Sequence, residues 1–208
     1  MKHMTLDFLI IGGGTAGISL YKSLKSSKAS LKLVDDNLFT TTCARVGCMP
    51  SKLLVAAADS CENIRKAPEF GIELGAYSVD SKKVMQRVQS ERDRFLSFIK
   101  KDLEKYPKED FIASRAKFLS DNEVLLDNGE KLSAKKIIIA TGSKPFIPKI
   151  FSDKAILTSD NIFDLDSLPE SVAVIGSGIV GLELGQALSR LGVKVKIITR
   201  AKALNQVQ

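Results

Sequence analysis

Two cysteines five residues apart stand in the run Cys43-Ala44-Arg45-Val46-Gly47-Cys48-Met49-Pro50-Ser51-Lys52, and a close thiol pair admits few kinds of chemistry. A closed zinc site needs four ligands, and the soft donors left over are Cys61 and His3, so zinc fits poorly and no metal site is expected. A structural disulfide fits poorly too, in the reducing compartment argued below. In one continuous α-helix, residues five apart lie beyond the Cα separation of about 7 Å that a disulfide can bridge. Either Cys43 precedes the helix or the helix is locally distorted, and Gly47 allows the bend. Pro50 favours the first helical turn, which puts Cys48 near a helix amino terminus, where the dipole stabilises a thiolate. The pair is therefore expected to cycle between disulfide and dithiol. Cys61, alone on the following helix, reads as a small buried hydrophobe.

A second kind of chemistry is written in glycine. Gly12, Gly14 and Gly17 fit G-x-G-x-x-G, and Gly176, Gly178 and Gly181 repeat it. The first glycine makes a tight turn, the second lets backbone approach a pyrophosphate, and the third lets helix pack on strand. The helix amino terminus then holds phosphate with free N–H groups and its dipole. One such pattern can be an ordinary strand-to-helix turn; two, each after an apolar strand and opening a helix, predict two dinucleotide sites.

The strand-end residue separates the two sites. Asp35 ends the strand after the first turn, where a carboxylate accepts hydrogen bonds from a ribose diol. The equivalent position in the second repeat is Thr199, followed by Arg200. A cation there suits a 2′-phosphate, so NADPH is favoured over NADH; the alternative is that Arg200 is a solvated strand-end charge.

The elements that must position these residues follow the same order. A strand over 6–11, a helix from about Thr15 to Ser27 and a strand from Leu31 to Val34 make a parallel crossover unit. Helices are predicted from about Ser51 to Lys66 and, on Val84, Val88, Phe95 and Phe98, to about Glu104. Short strands fill Phe111 to Leu132, with turns at Ser120-Asp121-Asn122 and Asp127-Asn128-Gly129. A buried strand over Lys136–Ala140 runs into Thr141-Gly142, and a polar connector spans Ser143 to about Ser171. Strands at 172–175 and 195–198 flank the second glycine turn and its helix.

The composition narrows the partners. Among 208 residues, 44% are apolar, enough for a core. The net charge of +7 raises nucleic acid, but the lysines are scattered over helix faces without an arginine-rich arm, so a solvated basic surface is expected instead. No run reaches membrane-spanning length, and the apolar run at 8–11 enters the glycine turn without a cleavage site behind it. A cytoplasmic protein that binds neither nucleic acid nor membrane is expected.

Taken together, the first fingerprint, Cys-x4-Cys-x-Pro-Ser-Lys, the Ala140-Thr141-Gly142 strand end and Gly176-x-Gly-x-x-Gly-x-Glu183 resemble the flavin-dependent pyridine-nucleotide disulfide oxidoreductases along the whole chain. The Ser51-Lys52 order resembles the dihydrolipoamide dehydrogenase branch more than glutathione reductase. The resemblance implies an α/β fold: a Rossmann-like, three-layer FAD-binding domain with a β-meander over 1–155, then an incomplete NAD(P)-binding Rossmann unit over 156–208. It implies FAD held by Gly12, Gly14, Gly17, Asp35, Thr42, Ala116, Thr141 and Gly142, and NADPH or NADH held by Gly176, Gly178, Gly181, Thr199 and Arg200. Cys48 would face the flavin, Cys43 would exchange with a dithiol or disulfide substrate, and Lys52 and Glu183 would pair beside the flavin. A homodimer is implied for a full-length member.

Three features depart from the family pattern. Thr40 and Thr41 stand where two glycines are usual, and Arg45 where asparagine is usual. The family's acid–base His-Glu pair belongs to an interface domain that the sequence does not show, since its one histidine is His3. The expectation is thus an amino-terminal fragment, inactive alone, with uncovered helix faces and a frayed end over 201–208. A glutathione-type or mercuric reductase driven by NADPH, or a non-catalytic FAD-binding truncation, are the alternatives.

Overall fold

The computed structural model describes residues 5–36, 39–151 and 156–199. In chain order the first elements are β1 (Leu6–Ile11), α1 (Thr15–Lys25), β2 (Leu31–Asp35), α2 (Thr42–Arg45), α3 (Cys48–Lys66) and α4 (Ser81–Leu103). There follow β3 (Phe111–Ala113), β4 (Ala116–Ser120), β5 (Glu123–Leu126), β6 (Lys131–Ile139), β7 (Ser171–Ile175), α5 (Ile179–Arg190) and β8 (Lys194–Ile198). They gather into two compact units, Met1–Arg45 with Arg94–Pro148, and Val46–Asp93 with Lys149–Gln208.

The first unit is built on a six-stranded sheet of order β3-β2-β1-β6-β5-β4. β1 pairs in parallel with β2 and β6, and β2 with β3, while β4, β5 and β6 form an antiparallel meander. β6 serves both patterns: Ser133 pairs with Glu123 of β5, and Ala134 onward with β1. The meander turn comes where Asp127-Asn128-Gly129 predicts it, with Gly129 at φ +84° and the Asn128 Oδ1 accepting from the Glu130 amide at 2.9 Å.

Alternation along the strands creates two cores. Leu9 and Val34 pack with Val124, Leu126, Leu132 and Ala134 on the meander side. Ile10 and Leu33 pack with Ile18, Tyr21 and Leu103 on the helix side. These are the three expected layers. On the helix side the Tyr21 hydroxyl donates to Asp110 Oδ2 at 2.6 Å, and Lys25 donates to the same oxygen at 2.5 Å. Burial, reinforced by Asp110, pushes the Tyr21 phenol well above its ordinary range. Two sequence expectations need correction here. The end of β6 is not buried: Ile139 is 66% exposed. Phe98 is exposed beneath the Arg94 guanidinium, 5.8 Å from the ring centre, and the core positions of α4 here are Ile99 and Leu103.

The second unit packs α3 and the first part of α4 with α5 and the parallel pair β7–β8. Its core holds Leu54, Ala58, Cys61, Met85, Val88, Phe163, Leu184, Ala187 and Leu188. Cys61 is buried, as a small hydrophobe at that position should be. The connector is less polar than its sequence implies, because the turn Ile162–Asp164 drives Phe163 into this core. Gln89 Nε2 holds that turn by donating to the carbonyls of Phe163 and Leu165 at 3.2 and 2.9 Å. Ile175, Ile179, Val180 and Ile198 are exposed.

Candidate functional site

In the first glycine turn, each glycine has a different cause. Gly12 takes φ +111°, and a Cβ there would lie 2.3 Å from the Ala140 carbonyl oxygen. That carbonyl arrives because the Ala140 amide donates to Ile11 O at 2.7 Å, carrying the end of β6 over the turn. At Gly17 a Cβ would lie 1.8 Å from the Gly12 carbonyl oxygen, so α1 can sit on the turn only without a side chain. Gly13, which the motif leaves free, is also tightly placed: a Cβ would meet the Asp35 and Phe39 side chains at 3.0 Å. Its amide donates to Asp35 Oδ2 at 2.6 Å and fixes the carboxylate at the end of β2.

Gly14 differs from these. It caps α1 at φ −82° and has nothing within 4 Å of a Cβ position. No neighbour and no backbone strain require glycine there. The second turn repeats the build. Gly176 takes φ +101° and donates to Ile198 O at 2.8 Å, as Gly12 does to Val34 O at 2.8 Å. A Cβ at Gly181 would lie 3.0 Å from the Gly176 carbonyl oxygen. Gly178 caps α5 at φ −70° with open space before it. Open ground at the second glycine of each turn, in front of a helix amino terminus, is what close approach of a phosphate needs. The residues present therefore fit a dinucleotide at both turns. At the strand ends the turns part company: Ser177 Oγ lies 3.0 Å from Thr199 Oγ1, where the first turn has an amide and a carboxylate.

The cysteine segment breaks at Val46-Gly47, as the spacing requires. Cys43 lies half-buried in α2, which ends at Arg45. Cys48 is exposed and is the first residue of the 19-residue α3, with Pro50 in its opening turn. The helix starts earlier than Ser51, so Cys48 sits on the dipole's positive end itself. Cys48 and Cys61 are free thiols. Four residues along the same face of α3, Lys52 donates to Glu183 of α5 at 2.5 Å. Lys52, with help from Ser51 and against the effect of partial burial, holds the Glu183 carboxyl below its ordinary range.

The remaining candidates are placed simply. Thr42 is exposed at the start of α2, Ala116 is half-buried at the start of β4, and Thr141 and Gly142 are exposed just after β6, Gly142 at φ +69°. Arg200, His3 and the segment 201–208 lie outside the described residues. Among the described residues no helix is long and apolar enough to cross a membrane. Gly13 is a site residue that motif reading does not single out; its signal is contact with Asp35 and Phe39, distant in sequence.

Residues 6–207 match the pyridine nucleotide-disulphide oxidoreductase family. The chain belongs to this family. Pyridine nucleotide-disulphide oxidoreductases use FAD and NAD(P)H. Relatives include a dihydrolipoyl dehydrogenase of Bacillus subtilis, 33% identical over 94% of this chain and 44% of the relative. A mercuric reductase of Lysinibacillus sphaericus is 32% identical over 95% of this chain and 36% of its own. A mycothione reductase of Mycobacterium tuberculosis is 31% identical over 96% of this chain and 45% of its own. The chain thus spans less than half the length of these relatives. The HOCl-induced flavoprotein disulfide reductase RclA of Escherichia coli, solved as a Cu(II) complex, shares the fold. Its TM-score is 0.81 at 23% identity, covering 98% of this chain and 44% of that one.

Proposed function

We propose that the protein is a flavin-dependent disulfide oxidoreductase, with FAD at the Gly12–Gly17 turn and NAD(P)H at the Gly176–Gly181 turn. The observation that carries this reading is the company Cys48 keeps. It opens α3; one turn on, Lys52 pairs with Glu183; and Glu183 stands on the helix that the second glycine turn opens. A thiol, an ion pair and a dinucleotide turn on two packed helices suit electron passage between nicotinamide and sulfur.

FAD, when bound, relays two electrons between a nicotinamide hydride and a sulfur pair. Two electrons break the Cys43–Cys48 bond, leaving Cys48 as the thiolate that the amino terminus of α3 stabilises and Cys43 as the exchanging thiol. Cys43, deprotonated, attacks one sulfur of a substrate disulfide and releases a thiol. Cys48 then attacks Cys43, which restores the internal disulfide and releases the second thiol. The same steps reversed oxidise a dithiol. Lys52 holds the Glu183 carboxyl below its ordinary range beside this chemistry, which fixes an ion pair on the two helices.

The finer reading is a cytoplasmic homodimer acting on a dihydrolipoamide-like dithiol, with the flavin half over 1–155 and the nicotinamide half over 156–208. Relatives named for lipoyl and mycothione chemistry support a thiol or disulfide as the substrate class. Thr199, which offers no carboxylate to a 2′-hydroxyl, favours NADPH. The test is a visible spectrum of the purified protein during anaerobic titration with NADH and NADPH in separate runs. A flavin spectrum that NADPH bleaches supports the proposal; a colourless protein that takes up no FAD overturns it.

A further inference from the structure

Two buried side-chain polar atoms among the described residues have no hydrogen-bond partner, Thr40 Oγ1 and Arg45 Nε. Both belong to the first unit: Thr40 lies two residues before α2 and Arg45 is its last residue. Leaving a buried donor unmade is costly, and more so within a charged guanidinium. Native proteins supply such groups with water or a ligand.

The neighbouring threonine shows that this is not a general property of the segment. Thr41 uses its polar atoms locally: its hydroxyl and carbonyl accept from the Ala44 amide at 3.1 Å each, and the carbonyl also accepts from the Arg45 amide at 3.0 Å. Thr40, only 9% exposed, has no such use. Its place is fixed by Phe39, whose φ of +38° is unusual for a residue with a side chain. The Phe39 ring stacks edge-on against Phe111 at 5.6 Å and lies 3.0 Å from where a Gly13 Cβ would stand. The segment that carries Thr40 therefore starts against the glycine turn that fits a dinucleotide phosphate.

We propose that Thr40 and Arg45 are contacts to the pyrophosphate of the dinucleotide bound at the first turn. The inference rests on the FAD reading above and adds two residues to it, at positions where the family pattern has other types. Phosphate oxygens are the anionic acceptors of FAD, and a guanidinium N–H with a hydroxyl is a suitable donor set for them. Thr40 and Arg45 then do from the α2 side what the α1 amino terminus does from the other: they neutralise phosphate charge.

The experiment is calorimetric titration of the flavin-stripped, intact protein with FAD and, separately, with ADP, which carries the pyrophosphate without the flavin. Thr40→Val, which removes only the hydroxyl, weakens FAD about tenfold, and Thr40→Ser restores it. Arg45→Gln weakens FAD by about tenfold to a hundredfold and flattens its dependence on salt. ADP affinity falls in parallel in both variants. The apoprotein of Thr40→Val melts no lower than the wild type, since no bond is lost there, while its thermal shift on adding FAD shrinks. Wild-type FAD affinity in both variants overturns the inference and assigns water to the two atoms. A fall for FAD with none for ADP overturns it too, because the contact would then lie on the flavin end. If the wild type binds neither ligand, the flavoenzyme reading itself fails.

Discussion

The Ser177 and Thr199 hydroxyls stand 3.0 Å apart at the two positions where the first glycine turn joins the Gly13 amide to the Asp35 carboxylate. The two turns share the bond from the first glycine amide to the neighbouring strand end, although a Cβ at Gly12 would meet the Ala140 carbonyl and one at Gly176 would meet nothing within 4 Å. One turn therefore presents a fixed carboxylate at the strand end and the other a neutral pair. Substituting Thr199→Asp gives the second turn the first one's acceptor. It should shift preference from NADPH toward NADH by about tenfold to a hundredfold, the worth of a hydrogen bond to a charged group. The ratio of kcat/KM for the two coenzymes measures it, and an unchanged ratio would refute the assignment of this strand end.

The glycines of each turn should separate into two classes. Gly12→Ala and Gly17→Ala meet backbone oxygens at 2.3 and 1.8 Å and should lower the melting temperature sharply or abolish folding. Gly14→Ala and Gly178→Ala meet nothing within 4 Å and should leave the fold intact. Those two should instead weaken FAD and NADPH respectively, by tenfold or more on the order of a lost phosphate contact. Circular dichroism with ligand titration distinguishes the classes, and full dinucleotide affinity in Gly14→Ala contradicts the phosphate reading.

The cysteines should divide their labour. Reduction by two electrons should give a long-wavelength charge-transfer absorbance between thiolate and flavin. Cys43→Ser should retain it without reduction, because Cys48, at the start of α3, then has no Cys43 sulfur to form a disulfide with. Cys48→Ser should lose it. Persistence of the band in Cys48→Ser would place the interacting thiolate elsewhere.

The ion pair across α3 and α5 gives a pH dependence whose sign is set by Glu183. Its carboxyl is held below the ordinary value of 4.5, first by the hydrogen bond from Lys52. The folded state therefore binds this proton less tightly than the unfolded state, and the pair stabilises above pH 4.5 and loses its effect as pH falls through the depressed value. Lys52 is 63% exposed in its side chain, so the contribution to stability is modest, of the order of 0.2–1 kcal/mol typical for such pairs. Lys52→Met should melt slightly below the wild type at neutral pH and level with it in acid. Equal melting temperatures at neutral pH, with turnover lost, would show that the pair serves chemistry alone.

Much of this arrangement is legible in the sequence because it is local. G-x-G-x-x-G specifies a turn within six residues, Gly47 and Pro50 specify where α3 can begin, and Asp127-Asn128-Gly129 specifies a hairpin. What the sequence hides comes from distant neighbours. Gly13 is constrained by Asp35 and Phe39, and Gly12 by Ala140, which no periodicity connects. Phe98 fits an apolar helical stripe, yet the core takes Ile99 and Leu103, so the stripe is turned from the position that spacing predicts. Phe163 lies in a connector that reads as polar, yet it anchors a core, and Gln89 of α4 holds its turn. Thr40 and Arg45 look like neutral departures from a family pattern until burial leaves their atoms without partners.

β6 joins the meander by its first residues and the parallel strands by its last. The meander can form early, since its turns close over a few residues. The parallel edge cannot: β1 must wait for a strand near the other end of its unit, and the chain between them includes all of Val46–Asp93. The entropy of closing a loop grows only slowly with its length, so such an interruption is tolerated at equilibrium. It is felt in time instead, because contacts between distant segments delay the barrier crossing. The docking of β6 on β1 also brings Ala140 over Gly12 and so completes the first glycine turn. Competence to take up the dinucleotide should thus be among the last properties the chain acquires as it folds, and a nascent protein should gain its hairpins well before its affinity for flavin.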